Sequence, residues 1–189
     1  MDQELIEKYR DINIDHDWWD GVYDCFTEKM KEAGVHVEDI QFSGFWSQGD
    51  GASFNGSVED WKLFFEKHDL SKYPVFVKLH EVGGLSASWK SHGGYCHEHT
   101  VSFGVDAEDF WVCVNDHDEL SEAVSIAYSA IVTEQFQDFE KDISEILKGY
   151  MRELYKELEQ EYEYLTSDEQ VWESIVANEL NTEKETENV

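Results

Sequence analysis

The sequence is poor in basic residues, cysteine and proline: 14 Lys and Arg stand against 43 Asp and Glu, with three Cys and a single Pro among 189 residues. The shortage of cations argues against direct binding to nucleic acid or to an anionic membrane, because attraction between phosphate and Lys or Arg dominates affinity in both cases. Cys25, Cys96 and Cys113 are odd in number and form no CxxC pair, so no disulfide framework is expected and a reducing compartment fits. The first residues lack the basic and apolar stretches of a signal peptide, and no apolar run reaches membrane-spanning length. The expectation is a cytoplasmic chain whose partner is cationic, or a metal.

What is present is charge and aromatic bulk. The formal net charge is -29 and the mean hydropathy -0.58. Such values alone would allow disorder, but 41% apolar residues, including 7 Trp, 9 Tyr and 11 Phe, supply enough burial for a folded protein. The length predicts one α+β domain over residues 1–180, followed by an acidic, disordered tail over 181–189.

Helical spacing of Trp19, Val22, Tyr23, Phe26 and Met30 follows acids at Asp15 and Asp17 and ends at Gly34. From Val37 the period becomes two, carrying Ile40, Phe42, Gly44 and Trp46, and a turn over 48–51 returns the chain through Ala52, Phe54 and Gly56. Residues 61–68 read as a short helix and Pro74 as the start of an irregular connection. A second hairpin pairs 85–91 with 95–106 around Gly93 and Gly94. The two hairpins predict a four-stranded antiparallel sheet packed against helices. Helical periodicity then runs from Glu119 to Leu165. An unbroken helix of that length would reach about 70 Å, so a break or bend is expected near Thr133 or Gly149. A last helix spans 167–180, with Ser167 and Gln170 placed as a capping box.

Three patterns could carry chemistry. Asp11, Asn13, Asp15 and Asp17 alternate like calcium ligands, but His16 and Val22 stand where an EF-hand loop needs Gly and Glu. In the Ser-His-Gly-Gly-Tyr-Cys-His-Glu-His stretch, a strand would turn His97 and His99 to one face, able to bind Zn²⁺ or polarise a substrate with His92 as a third group. That face also carries Tyr95, Val101, Phe103 and Val105. Structural histidines explain the spacing as well, and no metal or cofactor is assigned. In the Gln48-Gly49-Asp50-Gly51 turn, flanking glycines would let the Asp50 carboxylate and exposed amides approach a ligand. A tight hairpin turn is the plainer account. Were the two hairpin ends to converge, Gln48, Asp50, His92 and His97 would form a ligand site.

The acidic surface is the stronger signal. Residues 157–173 hold seven acids, Glu157, Glu159, Glu161, Glu163, Asp168, Glu169 and Glu173, and no Lys or Arg. Seventeen helical residues span about 26 Å, over which duplex DNA carries roughly 15 charges, so the segment reaches about half of duplex density. Residues 138–156, by contrast, hold five acids and four bases. A charge run is ordinarily a solvated face, but -29 far exceeds the roughly 2 to 8 charges that keep a small domain soluble.

Three stretches carry a resemblance: Asp-Trp-Trp-Asp-Gly-Val-Tyr from Asp17, Ser-Gly-Phe-Trp-Ser-Gln-Gly-Asp-Gly-Ala-Ser-Phe from Ser43, and Glu-Tyr-Glu-Tyr-Leu-Thr-Ser-Asp-Glu from Glu161. Over residues 15–179 the chain resembles small acidic proteins of bacteriophages and prophages, often labelled "antitoxin of toxin–antitoxin stability system". Tyr95, His97 and Glu98 match that group's pattern and His99 departs from it, which implies that a His97–His99 metal pair is not shared. The resemblance implies a protein made inside a bacterial host. The leading expectation is a non-enzymatic, phage-encoded protein that blocks a basic, nucleic-acid-binding host protein such as a defence nuclease through the seven acids. An antitoxin bound to a cognate toxin differs only in the partner. The competing readings are a metal- or small-ligand-binding enzyme built on the two hairpin ends and a virion component, and the chain could form a homodimer under any of them.

Overall fold

The computed structural model describes residues 1–14, 17–81, 83–92, 94–107 and 122–180, with side chains of the last segment described from 131 onward. The acidic cap at Asp15, the turn residue Gly93, the helix start at Glu119 and the tail 181–189 lie outside the described residues. The chain forms two compact units, Phe26–Tyr155 and Met1–Cys25 with Lys156–Val189. The division falls within two helices, α2 (Asp20–Glu32) and α5 (Glu122–Leu165).

The larger unit holds a four-stranded antiparallel sheet, the α+β class that the alternating periods predict. Its strands β1 (Val35–Phe42), β2 (Ala52–Val58), β3 (Ser86–Ser91) and β4 (Val101–Asp106) lie in the order β1-β2-β3-β4. The two hairpins join through Gly56 opposite Trp89 and Ser57 opposite Ser88. At that seam a Cβ on Gly56 would stand 2.2 Å from the His36 carbonyl oxygen and 3.0 Å from the Trp89 ring, so only glycine lets the strands close. β1 ends at Phe42 rather than continuing to Trp46, because Gly44 (φ 119°) and Trp46 (φ 65°) leave the extended region.

Between β2 and β3 the chain inserts α3 (Trp61–His68), which matches the expected range, and α4 (Pro74–Glu81). Pro74 therefore opens a helix and not an irregular connection. Its fixed φ and missing N–H suit the first helical position, where that donor would have no intrahelical acceptor. The core is aromatic. Phe54 packs edge-to-face on Phe26 and Trp89, while Phe139 of α5 stacks on Phe76 at 4.3 Å and meets Tyr73, Trp61 and Phe65.

α5 runs unbroken through Thr133 and Gly149, contrary to the expected interruption. One interior glycine costs a helix only about 1 kcal/mol relative to alanine. The turns around Gly149 are held by buried Ile143, Leu147, Met151 and Leu154, so tertiary packing outweighs that local weakness.

The smaller unit pairs the two ends of the sequence. α1 (Gln3–Lys8) and α6 (Asp168–Ala177) bury Ile6, Val171 and Ile175, with Leu5, Tyr9, Ile12, Trp172 and Leu180 around them. The last turn of α5 has no basic residue, and the N-terminal segment supplies what is missing there. Arg10 donates to the Thr166 carbonyl at 2.9 Å, and Asn13 donates to that of Leu165 at 2.9 Å. Ser167 caps α6 by accepting from the Gln170 N–H at 3.4 Å, as the capping pattern predicts, while the Gln170 amide turns to Glu173. Among the described residues no helix is long and apolar enough to cross a membrane.

Candidate functional site

The seven acids of residues 157–173 do not form one stripe. Thr166 and Ser167 separate them into two helices, with Glu157 to Glu163 on α5 and the other three on α6. At 3.6 residues per turn, Glu157 and Glu161 share one face of α5 while Glu159 and Glu163 share nearly the opposite one. Glu157 and Glu161 line a groove of about 360 Å³ with Gly21, Val22 and Cys25 of α2. Asp168 forms an ion pair with Arg10 at 2.5 Å. That guanidinium, and then the Gln3 amide, hold its carboxyl below the ordinary carboxylate range. The outward-facing charge of the string thus sits on Glu163, Glu169 and Glu173, all exposed, with Glu159 half-buried on the Glu163 side.

The two hairpin ends do converge. In the β1–β2 loop Asp50 folds back on its own turn, its carboxylate accepting the Ser47 N–H at 2.7 Å, and the Gly51 N–H reaches the Ser43 hydroxyl at 3.2 Å. A Cβ on Gly51 would stand 2.7 Å from the Cys96 carbonyl oxygen and 3.1 Å from His97 Cα, and one on Gly49 would strike the Tyr95 ring. The glycines flanking Asp50 are thus what lets the loop dock against Tyr95 to His97. Asp50, Gly51, Ala52, His97, Glu98, Arg152 and Tyr155 together line a pocket of about 300 Å³. Gln48 and His92 are exposed and do not line it.

His97 and His99 are not on a strand. β4 begins at Val101, and Glu98–Thr100 is a single 3₁₀ turn. The turn is tied by Thr100, whose hydroxyl shares its proton between the Tyr95 and His97 carbonyls at 2.8 Å each and whose N–H donates to His97 at 2.9 Å. Side chains two apart meet here because the backbone curls, and the two imidazoles stack at 4.8 Å. The expected grouping with the apolar face therefore fails: Tyr95 is 60% exposed, whereas Val101 is buried.

Glu98 is the centre of the arrangement. Its side chain is only 12% exposed, and its oxygens lie 3.0 Å from His97 Nδ1, 3.9 Å from His99 Nε2 and 3.5 Å from the Arg152 guanidinium. A proton on His97 Nδ1 fits the 3.0 Å contact. The His99 N–H, 3.3 Å from the same atom, needs that nitrogen unprotonated. The two contacts are alternative states of one imidazole, and the shorter, charge-assisted one is the stronger. Arg152 and Tyr155, on α5, were not found from sequence. Tyr155 also packs on Phe45 at 5.5 Å, and Phe45 on Trp46 at 5.4 Å. Trp46 is 69% exposed at a positive φ, a backbone state that bulky residues rarely hold.

Fold and site together describe an α+β protein with a polar pocket at the joined ends of two hairpins and an acidic surface on a separate compact unit. The chain belongs to the family described as a domain of unknown function (DUF8835), whose model matches residues 18–168. No curated protein and no solved structure matches it.

Proposed function

We propose that this chain is a phage-encoded, non-enzymatic inhibitor that acts in the bacterial cytoplasm by binding a basic, nucleic-acid-binding host protein. The observation that carries the reading is the concentration of negative charge in the smaller unit, where Glu163, Glu169 and Glu173 stand exposed. Fields of that sign accelerate encounter with a cationic surface and make the association steeply salt-dependent. The resemblance to phage proteins supplies the host. A basic toxin neutralised by the same surface belongs to the same class of partner. The split of the string over two helices favours recognition of a cationic groove at a few points over imitation of a continuous phosphate backbone.

The test is capture from a bacterial lysate on the immobilised chain, with duplex DNA as competitor. The expected result is a nucleic-acid-binding protein that excess duplex displaces and high salt releases. A captured protein indifferent to both would overturn the proposal.

A further inference from the structure

We infer that His97, Glu98 and His99 form a binding site for one divalent transition-metal ion of the zinc class, opening onto the pocket beside Asp50. Their ligand atoms all lie within 4.8 Å of one another. Two imidazole nitrogens and one carboxylate make a donor set typical of zinc, and three protein ligands leave one of four tetrahedral positions for water or a ligand.

The spacing fits. Donors bound at about 2.1 Å in a tetrahedron stand about 3.4 Å apart. The Glu98 oxygens are 3.0 Å from His97 Nδ1 and 3.9 Å from His99 Nε2, on either side of that value. These contacts come from the two oxygens of Glu98, and drawing all the donors, which lie within 4.8 Å of one another, onto one ion takes rotation of the imidazoles, for which the 36% and 72% exposure of the two histidines leaves room.

Three further features separate this cluster from an ordinary surface ion pair. The Thr100 bonds fix the turn that brings consecutive side chains together. Glu98 is largely desolvated, so its charge acts more strongly on a cation than an exposed carboxylate does. Arg152 stands 3.5 Å away, beyond a good hydrogen bond, and can leave the carboxylate to a metal while remaining at the pocket wall. A bound ion would take the place of the proton between His97 and Glu98. Asp50 lines the same pocket, with its carboxylate held by the Ser47 N–H.

The test uses the full chain after chelator treatment, titrated with Zn²⁺ by calorimetry and with Co²⁺ by visible absorption. One Zn²⁺ per chain is expected, together with the intense visible band of tetrahedral Co²⁺. His97→Ala and His99→Ala should each weaken binding at least roughly tenfold, by comparison with the 10- to 100-fold typical of losing even an outer-shell partner. His92→Ala, exposed and outside the pocket, should leave it unchanged. Far-ultraviolet dichroism checks that each variant is folded, and Glu98→Gln, which keeps the side chain's size, repeats the test within the turn. Overturning results are the absence of stoichiometric Zn²⁺, or binding that survives in the His97→Ala/His99→Ala double variant, which would assign the ion to the general carboxylate surface.

Discussion

The smaller unit, Met1–Cys25 with Lys156–Val189, holds 19 acids against 4 bases in 59 residues, whereas Phe26–Tyr155 holds 24 against 10 in 130. Each carries about half of the net charge, but the smaller one does so on fewer than half as many residues. It also has the leaner core, a cluster centred on Ile6, Val171 and Ile175, while the larger unit packs Phe26, Phe54, Phe64, Phe76, Phe139 and Trp89. Self-repulsion is thus concentrated where there is least burial to offset it, an arrangement that stability alone would not select. The polar pocket sits in the larger unit, with the larger core. The densest charge and the pocket chemistry lie in different units, and each can be disturbed without the other.

The largest expected effects come from the two cores. Phe139→Ala should cost about 3–5 kcal/mol by deleting the ring stacked on Phe76, and Ile175→Ala about 2–5 kcal/mol. Hydrogen exchange separates them. Ile175→Ala should speed exchange in Gln3–Lys8 and Asp168–Ala177 while the strand amides keep their protection; uniform loss across both units would break the comparison. Next comes Gly51→Ala, which forces a Cβ to within 2.7 Å of the Cys96 carbonyl oxygen. A cost of about 1–3 kcal/mol in denaturant melts is expected, with the pocket's walls parted.

Acid should affect the units in sequence. His68 accepts or donates a 2.9 Å bond with the Tyr150 hydroxyl, and burial, then Lys67, lowers its pKa below 6.5. A base with a depressed folded pKa contributes stability above its unfolded value and loses it as pH falls through the folded value. Asp168 has its carboxyl depressed below 3.8, so its contribution persists until the pH falls through that lower range. Titration followed by exchange or by residue-specific NMR should show the larger unit weakening first, below about pH 6.5. Asp168→Asn should remove the later acid response of the smaller unit and leave the earlier one intact.

Much of the fold is legible in the residues. The alternation around Ile40 and Phe54, the apolar spacing from Trp61 to His68 and the Ser167 cap each act locally, and each element formed where its local signal lies. Failures occur where tertiary contacts override a local rule. Gly149 did not break α5 because buried neighbours hold its turns, and residues 95–100 abandoned their strand-like pattern because Thr100 closes a turn and Gly51 needs the Cys96 backbone beside it. Half of the candidate site was visible. Asp50 and His97 carry recognisable chemistry, but Arg152 and Tyr155 reach the pocket only through the packing of α5, which no spacing encodes.

The most direct test of the central claim relocates a charge change without altering its size. One variant reverses Glu159, Glu163, Glu169 and Glu173 to Lys in the smaller unit, and another reverses the exposed Glu32, Glu38, Glu66 and Glu81 in the larger. Affinity for the duplex-competed partner is then measured across a salt series. The account predicts a loss of roughly tenfold or more and a flatter salt dependence for the first variant, with the second within roughly twofold of the parent chain. Equal losses in the two would show that bulk charge alone governs binding, and would contradict it.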